Sequence, residues 1–155
     1  MAIYRKLLKN RAGDTIIPVV DGQLGYLVAK GSGATITTTS GQKVPFDTEV
    51  IKMGNLSLDT TNYAIVVGDG ISWIEISANI FYDKGSYNYG WVMIKKNGTE
   101  VASRSIADCS GGYGSVIFSP LAIPVQSGDV ITLHDIDGNM KIRPPQSWVC
   151  VKQIA

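Results

Sequence analysis

ISWIEISANIFY, residues 71–82, decides the fold class. Its side chains alternate without interruption: Ile74, Ile76, Ala78, Ile80 and Tyr82 fall on one side, Trp73, Glu75, Ser77, Asn79 and Phe81 on the other. An extended chain sends successive side chains to opposite faces, so this period of two predicts a strand and excludes a helix. One face is apolar throughout and reads as core. The other mixes aromatic with small polar groups, as expected of a sheet whose back is covered by another subunit.

The same grammar continues on both sides of this stretch. Strands are predicted at 34–39, 43–50, 63–68, 71–82, 89–96, 99–106, 114–119, 129–135 and 147–154. Asn97-Gly98 is the strongest hairpin signal, because a type I′ turn needs positive φ at both central residues. Asp69-Gly70, Ser127-Gly128 and Asp137-Gly138 punctuate the chain in the same way. Many short strands between Gly and Asp turns predict an all-β sandwich, jelly roll or barrel. Helical spacing is confined to Ile3, Leu7 and Leu8, read as a local turn or short helix.

Length and composition narrow the function classes. A chain of 155 residues suits one domain with a real core and a short appendage. Hydrophobic residues make up 45% and charged residues only 17%, so much of the surface is expected to be covered by partners. The net charge of +1, with both signs interspersed, lacks the basic stripe of a nucleic-acid binder. No apolar run reaches membrane-spanning length, and MAIYRKLLKN lacks the pattern of a secretory signal. Synthesis and folding in a cytoplasm are expected, with Cys109 and Cys150 as buried reduced thiols.

Residues 1–33 differ from the rest. Arg5, Lys6, Lys9 and Arg11 precede two short strand-like pieces, Thr15 to Val20 and Tyr26 to Ala29, and Gly31-Ser32-Gly33 reads as a flexible joint. The expected organisation is an attachment segment at 1–33, carried by those four basic residues, and a head domain at 34–155.

Candidate sites are few. Tyr82, Tyr87, Tyr89 and Trp91 gather around two glycines in 82–91, and such aromatics either stack on sugar rings or fill an interface. Asp135, Asp137 and Asn139 alternate as calcium-binding oxygens can, but Lys141 and Arg143 follow where a calcium loop needs a Glu, so an ordinary turn is expected. His134 is the only histidine, and without a nucleophile elbow it reads as structural. The glycine-rich CSGGYGS at 109–115 lacks the Lys-Ser/Thr of a phosphate loop. No catalytic residue, cofactor or required metal is expected.

KVPFDTEV (43–50), ISANIFY (76–82), WVMIKKNGTEV (91–101), SGDVITL (127–133) and SWVCVKQI (147–154) follow one another in an order that resembles the complement-q/tumour necrosis factor jelly-roll superfamily, as found in bacterial and phage proteins. The resemblance covers residues 34–155, and the order and spacing of the pieces carry it. Gly70-Ile71-Ser72-Trp73 departs from the Gly-x-Tyr usual before the central strand. The resemblance implies a ten-strand, two-sheet jelly roll assembled as a tight homotrimer. YRKLLKNRAGDTIIPVV (4–20) is similar to the attachment stretch of phage head or tail appendages. The function expected is therefore a non-enzymatic virion appendage: a head fibre, capsid decoration or tail-fibre tip on the virion surface, made in the host bacterial cytoplasm. It would bind capsid or tail protein through residues 1–33 and a host receptor or surface glycan through its head. The alternative is a soluble carbohydrate-binding module using the aromatics of 82–91.

Overall fold

A computed structural model describes residues 8–9, 15–17, 24–83, 89–107, 113–136, 138 and 141–155. The described chain is all β apart from one 3-10 turn at Pro144–Gln146. Its first strands are β1 (Leu8–Lys9), β2 (Thr15–Ile17), β3 (Tyr26–Lys30), β4 (Ile36–Thr37) and β5 (Thr48–Met53). Next come β6 (Leu56–Asp59), β7 (Ala64–Val67), β8 (Trp73–Asp83), β9 (Tyr89–Lys96) and β10 (Thr99–Ala107). The last are β11 (Tyr113–Pro124), β12 (Val130–Asp135), β13 (Lys141–Ile142) and β14 (Trp148–Gln153).

Two sheets make a sandwich. One has five strands in the order β10-β9-β12-β7-β6; the other has seven, β4-β13-β8-β14-β3-β5 with β11 on the far edge of β8. The decisive stretch is the spine of the seven-stranded sheet: β8 pairs with β11 along one edge and with β14 and β13 along the other. Its alternation has the consequence expected of it. Ile74, Ile76, Ala78 and Ile80 are wholly buried and Tyr82 nearly so, against Leu27, Ala29, Val149 and Val151 of the neighbouring strands. Val92, Ile94, Ile131 and Leu133 close the core from the other sheet. Each buried Ile, Leu or Val here contributes about 1.5–3 kcal/mol on leaving water.

The turns follow the glycines. Asn97 and Gly98 have φ of 51° and 81°, the left-handed pair that a two-residue hairpin between β9 and β10 requires. Asp129 ties this hairpin to the turn before β12. Its carboxylate accepts from Asn97 Nδ2 at 2.7 Å and from Gln126 N at 3.0 Å, with Lys96 Nζ 3.7 Å away.

Several expectations are corrected. The two sheets hold twelve strands rather than ten. Residues 43–50 are not one strand: Pro45 has no N–H to give a ladder, Phe46 N turns back on Val44 O at 3.0 Å, and the strand starts only at Thr48. β11 runs on past Pro120 because that proline sits at a bulge on an edge strand, where no ladder donor is missed. Leu8–Lys9 is extended and pairs with Thr15–Ile17, not helical. The strands predicted at 71–82 and 89–96 do not pair with each other, since β8 and β9 belong to opposite sheets.

The boundary at residue 33 also moves. Tyr26–Lys30 is an inner strand of the seven-stranded sheet, paired with β14 on one side and β5 on the other, with Leu27 and Ala29 fully buried. The head therefore takes in residues expected to belong to the attachment segment. Nor is Gly31-Ser32-Gly33 a loose joint. A Cβ on Gly31 would lie 2.3 Å from Pro144 Cβ, and the Ser32 N–H and hydroxyl donate to the Asp47 carboxylate at 2.7 and 2.9 Å. Gly31 is a contact glycine, there because backbone passes against backbone.

Candidate functional site

The outer face of the seven-stranded sheet is the least ordinary surface of the molecule. Opposite the buried residues, the pleat directs a second set outward. Register aligns them in rows: Ile117, Asn79, Trp148 and Lys30; then Ser77, Cys150, Val28 and Ile51; then Glu75, Lys152, Tyr26 and Met53. Ile117 is 59% exposed, Ile51 and Met53 each 45%, and Trp148 39%. Trp73 continues the surface at the end of β8. Isolated surface hydrophobes are common, but this one face carries five large exposed ones, interleaved with Asn79, Ser77, Glu75 and Lys152 of the same rows. Within it, contact with Cys150 raises the Tyr26 hydroxyl above its usual pKa.

At one end this face becomes polar. Arg143 Nε lies 2.5 Å from Asp83 Oδ1, and the guanidinium sits 4.6 Å over the Tyr113 ring. Phe81 stacks on Tyr113 with ring centroids 6.0 Å apart. The Asp83 hydrogen bond, outweighing burial, raises the Arg143 pKa further above its usual value. The cluster gathers an aromatic plate, a cation and an anion on one spot of the sheet.

The aromatics of 82–91 do not come together. Tyr82 is buried under the seven-stranded sheet, whereas Trp91 lies on the outside of the five-stranded sheet and is 41% exposed. Trp91 occupies the outward phase of β9, with Val92 and Ile94 taking the inward one. Tyr89 pairs with Ala107 at the start of β9, and Tyr87 lies outside the described residues. The residues that do form a surface, Tyr113, Ile117, Trp148, Arg143 and Asp83, were not singled out in sequence. The signal was present in Trp148-Val-Cys-Val, which alternates as 71–82 does.

Beside Trp91 the outer face of the five-stranded sheet carries Met93, His134 and Lys43 in register, with Lys95 opposite Thr132. His134 has both ring nitrogens engaged, Nδ1 with Gly41 O at 2.8 Å and Nε2 with Thr132 Oγ1 at 2.9 Å. Burial lowers its pKa, Lys95 and Lys43 lower it further, and the Gly41 contact opposes them only in part. A hydroxyl on an imidazole suggests a catalytic pair. Here, however, Thr132 is 6% exposed and the third partner is a carbonyl, so the arrangement braces the sheet.

Asp135 turns inward, fully buried, and its Oδ2 accepts from Thr38 Oγ1 at 2.5 Å. Asp137, Asn139 and Cys109 lie outside the described residues, as do Arg5, Lys6 and Arg11, while Lys9 belongs to β1. Among the described residues no group of His, Cys, Asp and Glu is placed to hold a metal ion, and no helix is long and apolar enough to cross a membrane.

No protein-family profile and no curated protein sequence matches the chain. Solved structures do. Eiger TNF from S. frugiperda superposes with a TM-score of 0.69 at 13% identity, covering 86% of this chain and 94% of that one. Murine APRIL at pH 5.0 gives 0.69 at 14% identity, over 84% and 99%. The globular domain of zebrafish complement 1qA protein gives 0.65 at 10% identity, over 84% and 98%. The fold of this chain is accordingly the jelly roll of the tumour necrosis factor and complement-q globular domains.

Proposed function

We propose that the chain is a non-enzymatic homotrimeric head whose seven-stranded sheet turns its outer face inward on a three-fold axis, against two further copies. One observation carries the reading: the large apolar side chains Ile117, Trp148, Ile51, Met53 and Trp73 are all exposed on one face of the seven-stranded sheet. A closed ring of identical chains covers such a patch on every copy at once, and the polar Arg143–Asp83–Tyr113 end supplies directional contacts at its margin. Light scattering is the test. A trimer mass across micromolar concentrations is the expected result, and a monomer mass would sink the reading.

In its setting, this head is a virion surface appendage, a head fibre, capsid decoration or tail-fibre tip. The low surface charge and the basic Arg5, Lys6, Lys9 and Arg11 support that role. With Tyr26–Lys30 part of the sheet, attachment to capsid or tail protein falls to residues 1–23. Co-sedimentation with particles decides it: a chain lacking 1–23 should remain trimeric and stay in the supernatant.

A second reading rests on Trp91. An exposed indole beside Met93, Lys95 and His134 is a platform on which a sugar ring can stack, outside the face that assembly would bury. Glycan-array binding that disappears in Trp91→Ala would support a carbohydrate-binding head; an array without signal would remove it.

A further inference from the structure

Asn97-Gly98 pairs the two residues whose backbone chemistry most readily destroys a side-chain amide. Glycine has no Cβ to shield its own nitrogen, and that nitrogen can attack the carboxamide of the residue before it. In this fold the amide is held at both ends. Asn97 Oδ1 accepts from Val130 N at 2.8 Å, Nδ2 donates to Asp129 Oδ1 at 2.7 Å, and the Asn97 N–H donates to Val130 O at 2.8 Å. Asp129 is 3% exposed, and its other oxygen accepts from Gln126 N at 3.0 Å. Lys96 Nζ, 3.7 Å from that carboxylate, is itself bonded to Pro124 O at 2.9 Å. A side chain so fixed cannot swing its carbon onto the Gly98 nitrogen without first breaking two hydrogen bonds.

We propose that Asn97 is a deamidation site guarded by Asp129, and that modification there converts a latch into a repulsion. The Gly98 nitrogen, its proton lost to hydroxide, bonds to Asn97 Cγ. The Cγ–Nδ2 bond breaks, and Nδ2 leaves as ammonia with a proton from water. A second water adds to the cyclic imide and opens it to aspartate or isoaspartate. A carboxylate then stands where Nδ2 donated, against Asp129 Oδ1, with the Lys96 ammonium 3.7 Å from Asp129. Two carboxylates in contact, one of them the buried Asp129, disfavour joint ionisation. The β9–β10 hairpin and the turn before β12 therefore lose their side-chain tie through Asp129, while the backbone bonds to Val130 and the β9–β12 pairing remain.

Mass spectrometry of the intact chain, held at mildly alkaline pH and 37 °C, tests this. Deamidation at Asn97 is expected at least about tenfold slower in the folded protein than in the same chain in urea, since reaction requires local opening. Asp129→Ala should move the folded rate toward the unfolded one, whereas Asp129→Asn, which keeps an acceptor for Nδ2, should stay slow. Asn97→Asp should melt several degrees below wild type at neutral pH and recover part of the loss as pH falls through the carboxylate range. Equal rates in folded and unfolded wild type would overturn the proposal, whether or not the Asp129 variants fold. A folded Asp129→Ala as slow as wild type, or an Asn97→Asp melting like wild type, would do the same.

Discussion

The two sheets obey the same period of two and present opposite outer faces. The seven-stranded sheet puts Ile117, Trp148, Ile51 and Met53 outward, while the five-stranded sheet puts Lys43, Lys95, His134 and Thr132 there, with Trp91 as its exposed aromatic. The pleat dictates only that one side of each strand makes the core; what covers the other side is free to vary. An exposed apolar side chain is a standing cost unless something buries it, so in the proposed assembly the seven-stranded side meets the other copies and the five-stranded side meets solvent.

Replacements on each face break or sharpen this contrast. The largest effect belongs to neither outer face: Ile76→Ala empties a wholly buried site between the sheets and should cost about 2–5 kcal/mol in chemical denaturation. A variant as stable as wild type would show the β8 phase to be wrong. Next, Ile117→Lys or Trp148→Glu should leave circular dichroism unchanged yet weaken association by about 2 kcal/mol or more, read as dissociation in light scattering at micromolar chain.

A smaller, titratable effect sits on the five-stranded side. Burial alone would push the Asp129 carboxyl up, but the hydrogen bonds from Asn97 and Gln126, with Lys96 beside them, outweigh it and hold the pKa below the usual carboxylate value. This stabilisation is present above the unfolded pKa and is lost as pH falls through the folded one. The lowered His134 pKa has the same sign, because the unfolded chain binds the proton more readily. Thermal stability should therefore decline in two steps on acidification, below about pH 6.5 and again below about pH 4. His134→Gln should remove the first step. Smallest of all, Trp91→Ala should change stability by no more than about 0.5 kcal/mol and leave the oligomer intact, which calorimetry and light scattering can check together.

Much of the fold was legible because its main signals are local. Alternation at 71–82 and positive-φ turns at Asn97-Gly98, Ser127-Gly128 and Asp69-Gly70 depend on neighbours in the chain. What escaped depends on distant partners. Leu56–Asp59 and Lys141–Ile142 are too short to show a period, and they are strands because β7 and β8 supply the hydrogen bonds. Gly31 looked like a hinge since nothing nearby announces that Pro144 will be packed against it. The aromatics of 82–91 looked like a cluster because they are close in sequence, yet the chain changes sheets among them. Tyr113, Phe81 and Arg143 meet instead, from three strands or turns scattered over sixty residues.

The place of Trp148–Gln153 in the sheet bears on how the protein is made. This strand lies between β8 and β3 and completes both, although it is the last of the sheet to leave the ribosome. Until it emerges, the spine and the first inner strand each expose an open edge, and the nascent chain cannot close its larger sheet. Emergence of this strand is the event that lets the larger sheet close, so translation pauses upstream of residue 148 should lengthen exposure to chaperones.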